Sequence, residues 1–204
     1  YLVFYYKNEL YTIYYEDVLK FGVLKNYQII DISTINIDAN RVTNLKISNN
    51  GDAFYLFYTT NHEELNCFKF KIERIDDNIT LKNGNSEPID IDVKYFDATV
   101  DNLGKIVALY YKSKDYSLNL YKENNNKKEK FGFFADIQAL ELLLYNDLAI
   151  VSYSSINLRK SNLGDEKFYL SVIYNKNFYK SDKWSEHIIE NSENPILSTF
   201  TYIK

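Results

Sequence analysis

The chain has 204 residues, among them 20 Tyr, 13 Phe and one Trp, against only 6 Gly, 2 Pro, 1 Cys and no Met. Hydrophobic residues make up 46% and charged residues 25%, which excludes a disordered or collagen-like chain, and one Cys excludes a disulfide scaffold. A net charge of −4 with scattered basic residues argues against a phosphate-tracking nucleic-acid binder, and no apolar run approaches the ~20 residues of a membrane-spanning helix. Tyr, Phe, Asn, Lys and Ile share AT-rich codons, so part of the ring excess reflects base composition.

In chain order, the first segments are YLVFYYKN and ELYTIYYE (1–16), which read as the second and third strands of a unit without its first. YEDVLKFGVLK (15–25) carries a competing helical pattern, and NYQIIDIS (26–33) reads as a fourth strand. Three segments then repeat one design: a strand, a short turn of Asn, Asp or Gly, and a more apolar strand. They are VTNLKIS-NNGD-AFYLFYTT (42–60), KYFDATV-DNLG-KIVALYYKS (94–113) and QALELLLY-ND-LAIVSYSS (138–155). Asn, Asp and Gly suit such turns because they tolerate positive φ. Third strands follow at 65–73, 116–123 and 167–174, and fourth strands at 78–81 or 88–92, 130–137 and 185–191.

The turns centre near residues 51, 103 and 147, a period of ~44–52 residues, as expected of four-stranded propeller blades. The expected fold is therefore all-β: one β-propeller domain of antiparallel four-stranded blades, about four of them. The blades run 1–40, 41–93, 94–137 and 138–195, with 196–204 the first strand of a further or closing blade. A register that begins mid-blade and a start without Met lead us to expect an arc of a larger six- or seven-bladed ring, a fragment or subunit of a larger assembly.

Residues 98–123, ATVDNLGKIVALYYKSKDYSLNLYKE, resemble a blade of the WD40-like and YncE-like propellers, without the Trp-Asp and Gly-His pairs. Residues 174–190, YNKNFYKSDKWSEHIIE, are similar to the Asp-box hairpin of sialidase-like propellers. Ser181, Asp182 and Trp184 match that hairpin, while its usual glycines and Thr are missing. The two resemblances imply the architecture and transfer no activity.

The catalytic inventory is thin. A sialidase grips its substrate carboxylate with three guanidinium forks, and this chain has Arg41, Arg74 and Arg159 at positions unsuited to convergence. His62 and Cys67 fall short of the ligand count of a zinc site, and His187 is expected as an outward strand residue beside Trp184. Two histidines supply few general bases, and no phosphate-binding glycine loop is present. The dense basic run Lys127, Lys128 and Lys130 reads as a solvated loop tip.

The reading is thus of no enzyme, with no catalytic residue, cofactor or metal. Aromatic doublets such as Phe57-Tyr58 and Tyr110-Tyr111 place one ring in the inter-blade core and one on the other face. An interaction surface is expected at Tyr111, Tyr179, Trp184 and His187. The leading expectation is a non-catalytic propeller serving as a protein-protein interaction or scaffold module, with a protein partner. The rival is a glycan-binding or sialidase-like surface protein. A single Cys favours the cytoplasm and leaves secretion open.

Overall fold

The structure, a computed structural model, describes residues 1–37, 42–76, 78–125, 127–133, 135–156 and 168–192. Sixteen strands occur among them: β1 (Leu2–Tyr6), β2 (Glu9–Glu16), β3 (Val18–Lys25), β4 (Gln28–Ile35), β5 (Val42–Asn50), β6 (Ala53–Thr60), β7 (Leu65–Ile75), β8 (Asn78–Asp90), β9 (Val93–Val100), β10 (Ile106–Lys112), β11 (Ser117–Lys122), β12 (Lys127–Phe133), β13 (Ala135–Tyr145), β14 (Leu148–Ile156), β15 (Phe168–Asn175) and β16 (Ser185–Ser192). A single 3-10 turn, Glu123–Asn125, joins β11 to β12. The strands form four antiparallel four-stranded sheets, each a meander of consecutive strands.

Several details differ from the sequence reading. The first sheet holds four strands, β1–β4, where the sequence suggested three. The segment with the helical pattern is β3, because its apolar positions Leu19, Phe21 and Val23 alternate inward on one face, and that packing overrides local propensity. The two fourth-strand candidates after β7 merge into one 13-residue strand, β8. Residues 130–137 divide between β12 and β13. The tail strand expected at 196–204 lies outside the described residues.

The chain divides into two compact units, Tyr1–Ile91 and Asp92–Lys204, each holding two of the sheets. In the first, the sheets β1–β4 and β5–β8 close over a cluster of rings. Phe54 stacks on Phe70 with centroids 5.4 Å apart, meets Tyr6 edge-on at 4.8 Å and leans on Phe4 at 5.4 Å. Tyr11 and Phe21 stack at 5.4 Å, and Phe21 reaches Phe70 edge-on at 6.4 Å, which links the two sheets. In the second unit, Val107, Leu109, Tyr111, Leu118 and Leu120 pack against Ile137, Leu142, Val151, Tyr153 and Ile173. The Asp97 carboxylate reinforces this join, accepting the Leu142 N–H at 2.8 Å.

Both members of the Phe57-Tyr58 and Tyr110-Tyr111 doublets are buried, because β6 and β10 are covered on both faces. Gly22 sits where β3 and β4 shift register, and a Cβ there would meet the Ile30 carbonyl oxygen at 2.8 Å. Two-residue hairpin loops supply the positive φ that tight antiparallel turns require. Lys7 and Asn8 have φ of 45° and 65°, and Asn26 and Tyr27 have 50° and 62°.

Two predictions follow from the packing and the turns. Tyr27 is fully exposed and holds a left-handed conformation that costs a side chain ~1–2 kcal/mol. Glycine there removes that strain and costs about 0.5–1 kcal/mol in unfolded-chain entropy. Tyr27→Gly should therefore gain about 0.5–1 kcal/mol, read as a Tm rise of about 2 °C by calorimetry. Phe54→Ala should cost about 3–5 kcal/mol in denaturant unfolding, since it empties the centre of the ring cluster.

Candidate functional site

The second unit builds a cavity from the end of β11, the 3-10 turn and the loop joining β15 to β16. That loop, residues 176–184, is tied by its asparagines. Asn175, 2% exposed, donates to the Ser181 carbonyl at 2.6 Å and accepts the Asn177 N–H at 2.9 Å. The Asn177 carbonyl accepts the N–H groups of Lys180 and Ser181 at 2.9 and 2.8 Å, and Phe178 N–H reaches the Asp147 carbonyl at 2.8 Å. These bonds drive Phe178 inward, leaving it 1% exposed.

Beneath Phe178 lies a buried cation. The Lys122 ammonium stands 4.2 Å from the Phe178 ring centroid and donates to the Phe178 carbonyl at 3.3 Å. It pairs with Glu129 at 2.8 Å and lies 3.7 Å from Asp182. The Lys122 and Glu129 side chains are only 7% and 11% exposed, so each depends on the other for its lost hydration. The other Glu129 oxygen accepts the Trp184 indole N–H at 3.2 Å. Trp184 in turn meets Phe131 edge-on at 4.9 Å and Phe178 at 6.0 Å. At the mouth Lys127 bridges to Asp182, and its hydrogen bond holds the Asp182 carboxyl below the ordinary carboxylate range.

The cavity has a volume of about 270 Å³, lined by Lys122, Phe178 and Asp182 together with Ile106, Val107, Glu123, Asn124, Tyr179, Lys180 and Ser181. Asn124 is steadied by the Asp101 carboxylate at 3.1 Å. Tyr179 stands edge-on to Phe178 at 5.1 Å and is 40% exposed. Burial, with the charges of Asp101 and Asp147, pushes its hydroxyl up to about 12. Tyr179 thus remains a neutral donor at physiological pH. The arrangement offers apolar ring surface beside donors and acceptors, suited to a small polar ligand with hydroxyl groups.

The residues expected from the sequence divide. Tyr179 lines the cavity and stands edge-on to Phe178, whereas Trp184 packs on Phe178 without lining the cavity. Tyr111 does not: it is 2% exposed in the core, because its strand is covered on both faces. His187 is exposed on β16, stacked on Tyr174 at 5.7 Å, and does not line the cavity. Ser181, Asp182 and Trp184 sit in the connection between third and fourth strands of their sheet. Lys122, Glu129 and Phe178 carried no sequence signal, since a Lys at a strand end reads as solvated. The run expected to be a solvated loop tip is part of β12, where Lys127 pairs with Asp182 and Lys130 with Asp115 at 2.9 Å. Of the three arginines, Arg74 is bound to Glu9 at 3.1 Å in the first unit, and Arg41 and Arg159 lie outside the described residues. Cys67 is a buried free thiol on β7, and His62 lies in the turn before it. No helix among the described residues is long and apolar enough to cross a membrane.

No protein-family model matches the chain, and no curated protein matches it in sequence. Solved structures do share its fold. A GH43 β-1,3-galactosidase has a TM-score of 0.53 at 11% identity, over 91% of this chain and 44% of its own. An exo-β-1,3-galactanase from Clostridium thermocellum has a TM-score of 0.53 at 13% identity, over 92% of this chain and 47% of its own. The chain therefore spans less than half the length of these two structures. Together with the four antiparallel four-stranded sheets, this likeness places the fold among the β-propellers. It also corrects the leading expectation of a non-catalytic interaction or scaffold module: two propellers that share this fold are a galactosidase and a galactanase, and they back the rival, glycan-related reading better. Both neighbours are enzymes, so the expectation of a chain without enzymatic activity is not carried forward.

The buried pair yields a prediction. Glu129→Gln leaves the Lys122 charge without its closest partner and should cost about 3 kcal/mol in denaturant unfolding. Adding Lys122→Met removes the stranded charge and should recover most of that loss.

Proposed function

We propose that this β-propeller recognises carbohydrate, with the cavity beside the 176–184 loop as the binding site. The observation that carries the reading is the pairing of ring surface with hydrogen-bonding groups. Tyr179 presents a ring and a hydroxyl at the cavity, next to Asn124, Ser181 and the Asp182 carboxylate. A sugar has apolar C–H faces that pack on rings and hydroxyl groups that need both donors and acceptors, and it is uncharged enough to enter a cavity whose ion pairs are already made. The galactosidase and the galactanase that share the fold support a glycan as ligand. The sialidase-like form of the reading gains no support from the described arginine, because Arg74 is held by Glu9 and is not among the residues lining the cavity.

Trp184 is the chain's single Trp and packs on Phe178, which lines the cavity, so its emission offers one readout. Titration with a panel of oligosaccharides, β-1,3-linked galactans included, should give saturable binding and a change in Trp184 emission. Tyr179→Ala should weaken that binding about tenfold, close to 1.4 kcal/mol. Absence of saturable binding across the panel, by calorimetry as well as fluorescence, would overturn the reading. Release of reducing ends from the same panel separates cleavage from binding.

A further inference from the structure

We infer that the cavity holds one sugar ring at a time, the terminal residue of a chain, read by the uncharged groups of Tyr179, Asn124 and Ser181; this rests on the carbohydrate reading. The cavity is small. Sites that enclose a drug-sized ligand run to roughly 300–1,000 Å³, and this one measures about 270 Å³. A single pyranose ring is well below such a ligand in size, whereas two linked rings reach it. An interior residue of a polysaccharide carries a linkage on either side, which a cavity of this volume leaves no room to enclose. A terminal residue carries one, which can lead out to solvent.

The charged groups of the lining are already engaged. Lys122 is held by Glu129 and the Phe178 carbonyl. Asp182 pairs with Lys127 and lies 3.7 Å from Lys122, whose buried charge it helps to compensate. Glu123 accepts the Ile106 N–H at 2.7 Å and faces Lys105 at 3.7 Å. Lys180 stands on the exposed rim, where water screens its charge.

The neutral groups are held by bonds that each leave one function open. Asp101, fixed by the N–H groups of Leu103 and Lys105, accepts the Asn124 amide N–H at 3.1 Å, which leaves the Asn124 carbonyl oxygen as an acceptor. The Ser181 hydroxyl oxygen accepts the Lys183 N–H at 3.1 Å, which leaves its hydrogen to donate. The Ser181 main chain is fastened to Asn177 and Asn175. The Tyr179 hydroxyl makes no hydrogen bond among the described residues and remains a neutral donor. Two donors and an acceptor beside the Tyr179 ring suit a ligand whose hydroxyl groups both give and take hydrogen bonds. Groups already fixed in this way lose little freedom on binding.

The test is calorimetry on the whole chain with methyl β-galactoside, β-1,3-galactobiose, β-1,3-galactotriose and a long β-1,3-galactan, and with matching glucose, mannose and xylose series. For the sugar bound best, dissociation constants should stay within about threefold from glycoside to trisaccharide, and the polymer should bind no more than one protein per chain end. Tyr179→Phe, which keeps the ring, and Asn124→Ala should each lower affinity for the glycoside about fivefold, as expected for one neutral hydrogen bond. Thermal midpoints check that both variants stay folded. For one monodeoxy glycoside, Tyr179→Phe should cause no further loss, which a merely structural role would not produce. Affinity that rises tenfold or more with chain length, several proteins bound along one polymer chain, binding of oligosaccharides without any of the glycosides, or unchanged affinity in both variants overturns the inference while leaving carbohydrate recognition in place. Failure of every series and of the wider panel overturns the carbohydrate reading, and this inference with it.

Discussion

A four-stranded antiparallel sheet whose central strands are apolar on both faces cannot stand alone in water, and everything else in this protein follows from that constraint. β6 buries Phe54, Leu56 and Tyr58 on one face and Tyr55 and Phe57 on the other. β10 does the same with Val107, Leu109 and Tyr111 against Ala108 and Tyr110. Face-to-face sheet packing is the arrangement that covers such strands while leaving the turns wet. Within each unit, rings and branched side chains fill the space between the paired sheets, and edge-to-face and stacked contacts fix their spacing.

The candidate site depends on the same constraint at one remove. Because the sheets of the second unit are packed, β11 delivers Lys122 into a place that water does not reach. A buried ammonium must be compensated, and Glu129, Asp182, the Phe178 carbonyl and the Phe178 ring share that task. The loop at 176–184 is thereby fastened to β12 through charge, and Trp184 is locked by its bond to Glu129. What stays open to solvent is the outer half of the cluster, the Tyr179 edge and the Lys127–Asp182 pair. The interior charges hold the wall in shape, and the exterior ones pair at the solvent-facing edge.

The Asp182 carboxyl at the mouth is moved below the ordinary carboxylate range by its hydrogen bond with Lys127, which keeps it ionised. The likeness to a galactosidase and a galactanase is one of fold, and the chemistry of those proteins stays with them.

Strands, turns and repeat were legible in the sequence because they are local. Alternation of apolar residues decides which face a strand buries, and Asn8, Asn26, Gly51 and Asn146 mark turns because few other residues accept positive φ. The spacing of the turns near residues 51, 103 and 147 was enough to give four-stranded sheets and a propeller. The site was only partly legible: Trp184, Asp182 and Tyr179 stood out in one short segment. Their partners lie about 55 residues earlier, at Lys122 and Lys127 to Phe131, and no local pattern marks them. A lysine at the end of a strand looks solvated in sequence. Only packing of one sheet on the next determined that Lys122 is buried, that Tyr111 is core, and that Lys127 faces Asp182. Burial and long-range charge pairing are properties of the assembled sheets, and they become readable once the chain has folded.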